Sequence, residues 1–336
     1  MRLGKTLLLT VVGVAILLAA AISLTIGWRP ILGPKSRPLT ARKFEVTAQR
    51  MERGQYLFMN LCGCVECHSP HDLNKPGVPV VPGKEGSGEI MPFADLPGRI
   101  VAPNITPDAQ TGAGNWTDDQ ISRAIREGIG HDGRALFPMM PYEHYRDMAE
   151  EDLASLVVYM RSLPPVHHEL QPTEIVFPVK YLIRSVPQPV TARVTAPDSA
   201  SRLAYGAYLV TLGGCSDCHT LHDKGEPLAG LEFAGGQVFK GDWGEAAAAN
   251  ITPDASGIGY YDQALFMQVM RTGFVKARKL SAMMPTAIYK NLTDEDLAAI
   301  FAYLRTLKPV KHRVDNSEPP TYCKLCRMKH GTGDQN

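Results

Sequence analysis

The chain has 336 residues, of which 35 are Lys or Arg and 34 are Asp or Glu, so its formal net charge is +1. A balance of this kind creates no positive field that would attract a polyanion, which argues against nucleic acid as a partner. Seven cysteines are too few for a disulfide scaffold in a chain of this size. The length allows two or three small domains, each with its own hydrophobic core.

The amino terminus carries an apolar run from Thr6 to about Trp28 that contains no charged residue. A run of this length can cross a bilayer as a helix, and a tryptophan at its end is typical of the membrane interface. We therefore interpret residues 1–29 as a membrane anchor. A cleaved secretory signal, with the small residues 19–21 near its end, is the alternative.

Two copies of a CxxCH motif occur in the chain, Cys64-Val-Glu-Cys67-His68 and Cys215-Ser-Asp-Cys218-His219. The two thiols of such a motif can bond to the vinyl groups of a haem, and the adjoining histidine offers its imidazole to the iron. A single copy could be a redox CxxC beside an unrelated histidine. Two copies in matching contexts predict two covalently bound c-type haems.

The motifs belong to a longer internal repeat. The loop Asn104–Asp108 (Asn-Ile-Thr-Pro-Asp) recurs at Asn250–Asp254, and a Met-Met-Pro triplet occurs at residues 139–141 and again at 283–285. One extra residue precedes Cys64 in the first copy. A duplication of this kind predicts one domain per copy. We divide the chain into a tether 30–45, a first domain 46–168, a Pro-rich linker 169–198 laid across a domain surface, a second domain 199–312 and a polar tail 313–336.

Helix signals are clear in both copies, and no segment alternates convincingly as a strand. Thr117 with Gln120 forms a capping box before a helix that Gly128 ends, and Asp262 caps its counterpart. The last helix of each copy has apolar residues at i, i+3, i+4 and i+7, namely Leu153, Leu156, Val157 and Met160, and Leu297, Ile300, Phe301 and Leu304. Each domain is therefore predicted to be all-α.

The order of these signals over residues 49–312 resembles the di-haem and multi-haem cytochrome c proteins of bacterial respiratory chains. It is most similar to the cytochrome c subunits of membrane-bound alcohol and gluconate dehydrogenases, which usually carry three haems. The resemblance implies two tandem cytochrome c domains after a transmembrane helix, with Gly54 crossing Tyr159 and Gly206 crossing Tyr303. It also implies haem domains on the periplasmic side of the cytoplasmic membrane, although the basic residues that follow the apolar run oppose that orientation.

The resemblance places the second axial ligand of each haem in the Met-Pro pair. The implied iron ligands are His68 with Met140 and His219 with Met284, while Met139 and Met283 pack beside the haems. A residue before proline favours extended backbone, which suits a loop that projects a side chain. The alternative is that all four methionines are ordinary core residues. A thioether opposite an imidazole closes the iron to other ligands and suits it to electron transfer.

Other polar residues near the motifs have alternative interpretations. His71 and His222 follow the motif histidines by three residues and fit a polar turn, or a hydrogen bond that orients the site. His131 and His144 are alternative distal ligands for the first domain only. The asparagines of the repeated loop, Asn104 and Asn250, are candidates for the haem edge.

Three cysteines lie outside the two motifs. Cys62 could replace Cys64, remain a free thiol or pair with the tail. Cys323 and Cys326 form a third CxxC, but Arg327 stands where a haem would need a histidine. With His330 they give three zinc ligands, a weak pattern, so we expect a local disulfide or an unstructured tail.

The sequence thus predicts an electron-transfer protein without independent catalysis. It would connect a dehydrogenase or a quinol-oxidising complex with a downstream cytochrome or oxidase. The alternatives are a di-haem enzyme, such as a peroxidase or a thiosulfate-oxidising cytochrome, and a structural subunit of a larger complex. An enzyme of that kind needs an open or displaceable iron ligand, which the duplicated Met-Met-Pro disfavours.

Overall fold

The computed structural model describes residues 2–75, 78–93, 95–223, 225–241, 244–281 and 283–336. Within them the α-helices are α1 Arg2–Leu24, α2 Arg29–Leu32, α3 Ala48–Tyr56, α4 Cys64–Cys67, α5 Asp118–Glu127, α6 Tyr142–Tyr145, α7 Glu150–Ser162, α8 Val179–Leu182, α9 Arg202–Leu212, α10 Cys215–His219, α11 Gln263–Thr272, α12 Thr286–Tyr289 and α13 Asp294–Leu304. A π-helical turn spans Leu57–Leu61, and 3-10 turns span Ile183–Ser185 and Gly333–Gln335.

The strands are short and pair two by two in antiparallel fashion. They are β1 Glu89–Ile90 with β3 Val101–Ala102, β2 Gly98–Arg99 with β4 Glu174–Ile175, β5 His222–Asp223 with β6 Glu226–Pro227, β7 Val238–Gly241 with β8 Gly244–Ala247, β9 Phe274–Val275 with β10 Arg278–Lys279, and β11 Pro320–Tyr322 with β12 Lys329–Gly331. The predicted all-α class therefore holds only in a coarser form. The domains are mostly helical, and their long loops satisfy backbone groups through these short pairings.

The predicted helix caps are present. Thr117 accepts the backbone N–H of Gln120 and Gln120 accepts that of Thr117, which completes the capping box of α5. The helix ends at Gly128, whose φ of 70° lies in the left-handed region that glycine tolerates. Asp262 caps α11 by accepting the N–H of Leu265. Both copies thus begin and end this helix in the same way.

The first and last helices of each domain cross at the predicted glycines. A Cβ atom on Gly54 would lie 2.0 Å from the carbonyl oxygen of Ser155 and 2.6 Å from the Cβ of Tyr159. A Cβ atom on Gly206 would lie 2.1 Å from the carbonyl oxygen of Ala299. Only glycine permits this approach of α3 to α7 and of α9 to α13.

The extra residue before Cys64 is accommodated by the π-helical turn. There the N–H of Cys62 donates to the carbonyl of Leu57 at 2.9 Å, five residues back. In the second copy α9 reaches Leu212 without such a turn. In both copies the segment before the motif ends in a glycine with left-handed backbone conformation, Gly63 with φ 57° and Gly214 with φ 59°. The two CxxCH helices therefore start from equivalent backbone geometry despite the different lengths.

The two domains share one hydrophobic core. Buried side chains of the first copy, such as Leu57 and Leu153, belong to the same cluster as Leu209 and Leu297 of the second. Helix α7 is buried on its predicted apolar face and also on part of its polar face. Its polar residues Asp152 and Ser155 are also buried.

The segments outside the domains pack against them. The linker lies on the first domain as predicted, since β4 pairs with β2 and the carbonyl of Val194 accepts the N–H of Glu150. It also contains helix α8, which the sequence did not indicate. Residues 313–336 do not form an unstructured tail, because β11 and β12 make a hairpin in which Cys323 and Cys326 are buried.

The segment 30–45, predicted as a tether, is held against the first domain by a buried ion pair. Arg37 donates to both carboxylate oxygens of Asp119, at 2.7 and 2.8 Å, and to Glu127 at 2.7 Å. The backbone N–H of Thr40 also donates to Asp119. Charge pairing of this kind leaves no hydropathy pattern, which is why the sequence did not reveal it.

Helix α1 is exposed along its length. Residues Gly4–Leu24 have a mean hydropathy of 2.8, and none of that segment is buried within the protein. Within the described residues it is the one helix long and apolar enough to cross a membrane. A signal sequence near the amino terminus meets the same criteria, so anchoring stays a prediction.

Replacing Asp119 by Asn should weaken the docking of segment 30–45 in a pH-dependent way. Burial alone would raise the pKa of Asp119, but the hydrogen bonds from Arg37 and Thr40 outweigh it and lower the pKa from 3.8 to about 2. The charged form therefore stabilises the fold above pH 3.8, and this contribution is lost as the pH falls towards about 2. In urea unfolding near neutral pH, the variant should have a free energy of unfolding about 1–3 kcal/mol lower than that of the unmodified protein. This difference should become smaller as the pH falls through that window.

The exposed Asp132, which pairs with Arg134 at the surface, provides the control. Asp132→Asn should change stability little at any of these pH values, because surface ion pairs contribute little. An Asp119→Asn deficit that stays constant as the pH falls through the window would contradict this explanation.

Candidate haem sites

Each CxxCH motif lies on one turn of helix. Cys64 and Cys67 are the first and fourth residues of α4, and Cys215 and Cys218 are the first and fourth residues of α10. Residues three apart on a helix lie on the same side, so both thiols of a motif face one way. None of these four cysteines is in a disulfide.

The motif histidines are oriented by a backbone carbonyl. Nδ1 of His68 lies 2.8 Å from the carbonyl oxygen of Pro103, and Nδ1 of His219 lies 2.7 Å from that of Ala249. Because a carbonyl only accepts, Nδ1 carries the proton and Nε2 keeps its lone pair. Burial lowers the pKa of both histidines, against the opposing effect of the carbonyl bond. Both imidazoles are therefore neutral near pH 7, which is the form that ligates a metal.

The carbonyl positions are fixed by the buried asparagines of the repeated loop. Oδ1 of Asn104 accepts the N–H of Thr106 at 3.0 Å, and its Nδ2 donates to the carbonyl of Val166 at 2.7 Å. Asn250 makes the equivalent bonds to Thr252 and Val310, at 2.9 and 2.8 Å. These side chains tie the loop to the end of each domain. Their polar atoms are occupied within the protein, and a position along the haem edge stays a prediction for both residues.

The Met-Pro segments adopt the same turn in both domains. The carbonyl of Met140 accepts the N–H of Tyr142 at 2.8 Å, and that of Met284 accepts the N–H of Thr286 at 2.7 Å. Both methionines pack against the shared core, whereas Met139 packs in a separate cluster with Met91 and Ile100. Met139 and Met140 therefore pack in different hydrophobic clusters, and the assignment of Met140 as the iron ligand stays a prediction.

Two tyrosines, the buried Tyr145 and the partly buried Tyr289, hold these segments against the motifs. Tyr145 donates to the carbonyl of Cys62 at 3.1 Å, and Tyr289 donates to that of Gly213 at 2.8 Å. Burial raises the pKa of both hydroxyls well above the ordinary value, so both remain protonated donors. The sequence analysis did not single out this pair. The sequence pattern that could have revealed the pair is a tyrosine four residues after the proline of each Met-Pro pair.

The other histidines have partners elsewhere. Nδ1 of His71 pairs with Glu89 at 2.7 Å in the loop after the motif, and His222 lies in the β5–β6 hairpin. Both placements fit the polar-turn interpretation. The exposed His131 stacks on Trp116, with ring centroids 4.4 Å apart. His144 pairs with Asp217 of the second motif, so neither alternative distal ligand gains support.

The domains meet through a reciprocal pair of tyrosine–aspartate hydrogen bonds. Tyr56 of the first domain donates to Asp296 of the second at 2.6 Å, and Tyr208 of the second donates to Asp152 of the first at 2.7 Å. Each pair occupies the same two positions of the repeat. The two copies are therefore arranged with approximate twofold symmetry.

This arrangement brings the two motifs together. A Cβ atom on Gly63, just before the first motif, would lie 2.8 Å from the side chain of Ile288 in the second domain. Burial, together with the charges of Asp217 and Cys67, raises the pKa of the free Cys218 thiol to about 12. Two paired thiols, a neutral imidazole and a thioether segment form a donor set that fits a c-type haem in each domain.

A profile of the cytochrome c family matches residues 51–164 and 203–308. The chain belongs to the cytochrome c family. The fructose dehydrogenase cytochrome subunit of Gluconobacter japonicus is 33% identical over 276 residues, which cover 76% of this chain and 52% of that protein. The gluconate 2-dehydrogenase cytochrome c subunit of Pantoea cypripedii is 30% identical over 276 residues, which cover 76% of this chain and 59% of that protein.

A diheme cytochrome c-type protein of Cereibacter sphaeroides is 28% identical over 277 residues, covering 77% of this chain and 86% of that protein. This cytochrome thus spans less than two thirds of the two dehydrogenase subunits but most of the diheme relative. It is a c-type cytochrome with two covalently bound haem c groups. The function of this family is electron transfer. The resemblance noted from the sequence is confirmed.

Replacing Tyr208 by Phe should destabilise the cytochrome at its domain interface. The Tyr208 hydroxyl also accepts the N–H of Ala149 at 3.0 Å, so its removal leaves a buried donor and a buried carboxylate each short of a partner. We expect a loss of about 1–3 kcal/mol in chemical unfolding. Tyr260→Phe is the control, because Tyr260 is 55% exposed. Equal stability of the two variants would contradict the proposed importance of this bond.

Proposed function

We propose that this cytochrome passes electrons between a dehydrogenase or quinol-oxidising complex and a downstream cytochrome or oxidase, from a membrane-anchored position in the periplasm. The observation that carries the proposal is the duplication of the whole site. Both copies pair a carbonyl-oriented neutral imidazole with a Met-Pro turn of the same geometry. Two sites closed in the same way suit transfer of electrons and leave no position for a substrate.

In this proposal each domain holds its haem through four side chains. The cysteines that would bond the haem are Cys64 and Cys67 in the first domain and Cys215 and Cys218 in the second. The iron ligands would be His68 with Met140 and His219 with Met284. Once bound, the haem supplies the one-electron couple of its iron.

The chain's own residues keep each site in one protonation state. The carbonyls of Pro103 and Ala249 hold the proton on Nδ1 of the histidines, so Nε2 stays available without a proton transfer. The hydroxyls of Tyr145 and Tyr289 fix the segment that carries the methionines against the segment that precedes each motif. A site that is held rigid needs little rearrangement when its charge changes.

The proximity of the two motifs supports transfer within the chain. The contact of His144 with Asp217 joins the Met-Pro side of the first domain directly to the second motif. Electrons entering at one domain would therefore have a short route to the other.

The names of the relatives support a dehydrogenase as the electron donor. Two of them are cytochrome subunits of sugar-acid or sugar dehydrogenases. Helix α1 supports attachment to a membrane. The position of the haem domains outside the cytoplasm rests on the resemblance to bacterial respiratory cytochromes c.

A direct test compares electron delivery with catalysis. The detergent-solubilised full chain, reduced under anaerobic conditions, should transfer two electrons per chain to an excess of oxidised soluble cytochrome c and then stop. Hydrogen peroxide and thiosulfate should each be consumed no faster than in a haem-free control. Sustained turnover of either would establish the enzymatic alternative and contradict the proposal.

Replacing Met284 by Ala should remove the thioether ligand of the second haem. We expect loss of the thioether-to-iron charge-transfer band for that haem and a fall in its potential on the order of 0.1 V, within the range of about 0.8 V that axial ligands span. The adjacent Met283→Ala is the matched control and should retain both. A normal band in the first variant with a lost band in the second would move the ligand to Met283.

A further inference from the structure

The hairpin that follows the second domain brings four metal-ligating side chains to one point. They are His312, at the end of the second repeat, and Cys323, Cys326 and His330 of the β11–β12 hairpin. Their donor atoms all lie within 4.8 Å of one another. All four residues are at most 3% exposed. We infer that these residues bind a structural Zn²⁺ ion.

The distances match a tetrahedron of zinc ligands. Zinc–sulfur and zinc–nitrogen bonds of about 2.0–2.3 Å place the corners of a tetrahedron about 3.3–3.8 Å apart. Sγ of Cys323 lies 3.5 Å from Nε2 of His312, and Sγ of Cys326 lies 3.3 Å from Nε2 of His330. The two Nε2 atoms are 3.1 Å apart. The two sulfur–nitrogen separations thus fall within the tetrahedral range, and the nitrogen–nitrogen separation lies slightly below it.

The histidine tautomers favour a cation at the centre. Nδ1 of His312 donates to the carbonyl of Ala234 at 2.9 Å, and Nδ1 of His330 donates to that of Gly331 at 3.1 Å. In the neutral rings both Nε2 atoms then carry lone pairs and face each other, which is repulsive unless a cation lies between them. Carbonyl bonds to the far nitrogen are the usual way in which proteins orient zinc-binding histidines.

The charge of the site also fits a divalent cation. Two thiolates and two neutral imidazoles carry a charge of −2, which a divalent ion cancels, so the occupied site can be buried without a net charge. The backbone N–H of Cys326 donates to Sγ of Cys323 at 3.4 Å, which fixes the position of that sulfur in the cluster. Four protein ligands without an open position are typical of structural rather than catalytic zinc.

Comparison of the two repeats shows which part of this site is specific to the second. His168, the counterpart of His312, donates from Nδ1 to the carbonyl of Ser87 at 2.9 Å, just as His312 does to Ala234. The repeated histidine therefore anchors a loop in both domains. Only after the second domain does a hairpin supply two thiols and a second imidazole.

The zinc site would support the second haem domain. Gly235, next to the carbonyl that orients His312, donates its N–H to the carbonyl of His219 at 2.7 Å. A Cβ atom on Gly236 would lie 2.6 Å from the ring of His312 and 3.6 Å from Sγ of Cys326, so the loop closes tightly over the cluster. The ion would thus fix the loop that runs from this cluster to the second CxxCH motif.

The test is metal analysis of the untagged full chain, purified with both haems attached and dialysed against EDTA. The expected result is one zinc for every two irons, with no disulfide between Cys323 and Cys326 by mass spectrometry. Absence of zinc, a Cys323–Cys326 disulfide, or copper or additional iron in its place would overturn the inference.

Matched variants locate the ion. His312→Gln should lose the zinc and lower the thermal stability of the protein while keeping two haems per chain, whereas His168→Gln should keep the zinc. Cys323→Ser should lose it and Cys62→Ser should keep it. If the site variants do not fold, zinc X-ray absorption of the unmodified protein decides the question. Two sulfur neighbours at about 2.3 Å and two nitrogens at about 2.0 Å support the site, and a neighbour set without sulfur overturns it.

Discussion

The structure depends on one hydrogen bond in each domain, from Nδ1 of a CxxCH histidine to a backbone carbonyl. The bond fixes the tautomer and the direction of the ring. Its acceptor is held in place because the next residue, Asn104 or Asn250, is buried and ties the loop to the end of the domain. The loop, the closing helix and the motif therefore support one another, and the imidazole is the point at which they meet.

The second level of organisation is the contact between the copies. The bonds Tyr56–Asp296 and Tyr208–Asp152 use the same two positions of the repeat, with the tyrosine in the first domain in one bond and in the second domain in the other. Duplication of one sequence therefore supplied both bonds of the interface. The shared core makes the two domains one folding body. For an electron carrier this has a direct benefit, since the same contacts that stabilise the fold hold the two haem motifs close together.

The sequence predicted what depends on local signals: the motifs, the repeat, the helix caps and the glycine crossings. It could not predict contacts between distant residues, such as Tyr56 with Asp296, because no periodicity marks them. Arg37 was missed for the same reason, since an ion pair leaves no pattern. The fourth ligand of the zinc cluster, His312, was hidden because it belongs to the repeat, where His168 has a purely structural role. The short strands arose from loops whose pairing only the folded chain defines.

We propose that a histidine and a methionine occupy both axial positions of each iron. Electron paramagnetic resonance of the fully oxidised protein, combined with haem quantitation, tests it most directly. Two covalently bound haems per chain, both low-spin with no high-spin ferric signal, is the result that this structure predicts. Fewer than two haems, or a high-spin signal from an iron with a vacant position, would contradict it.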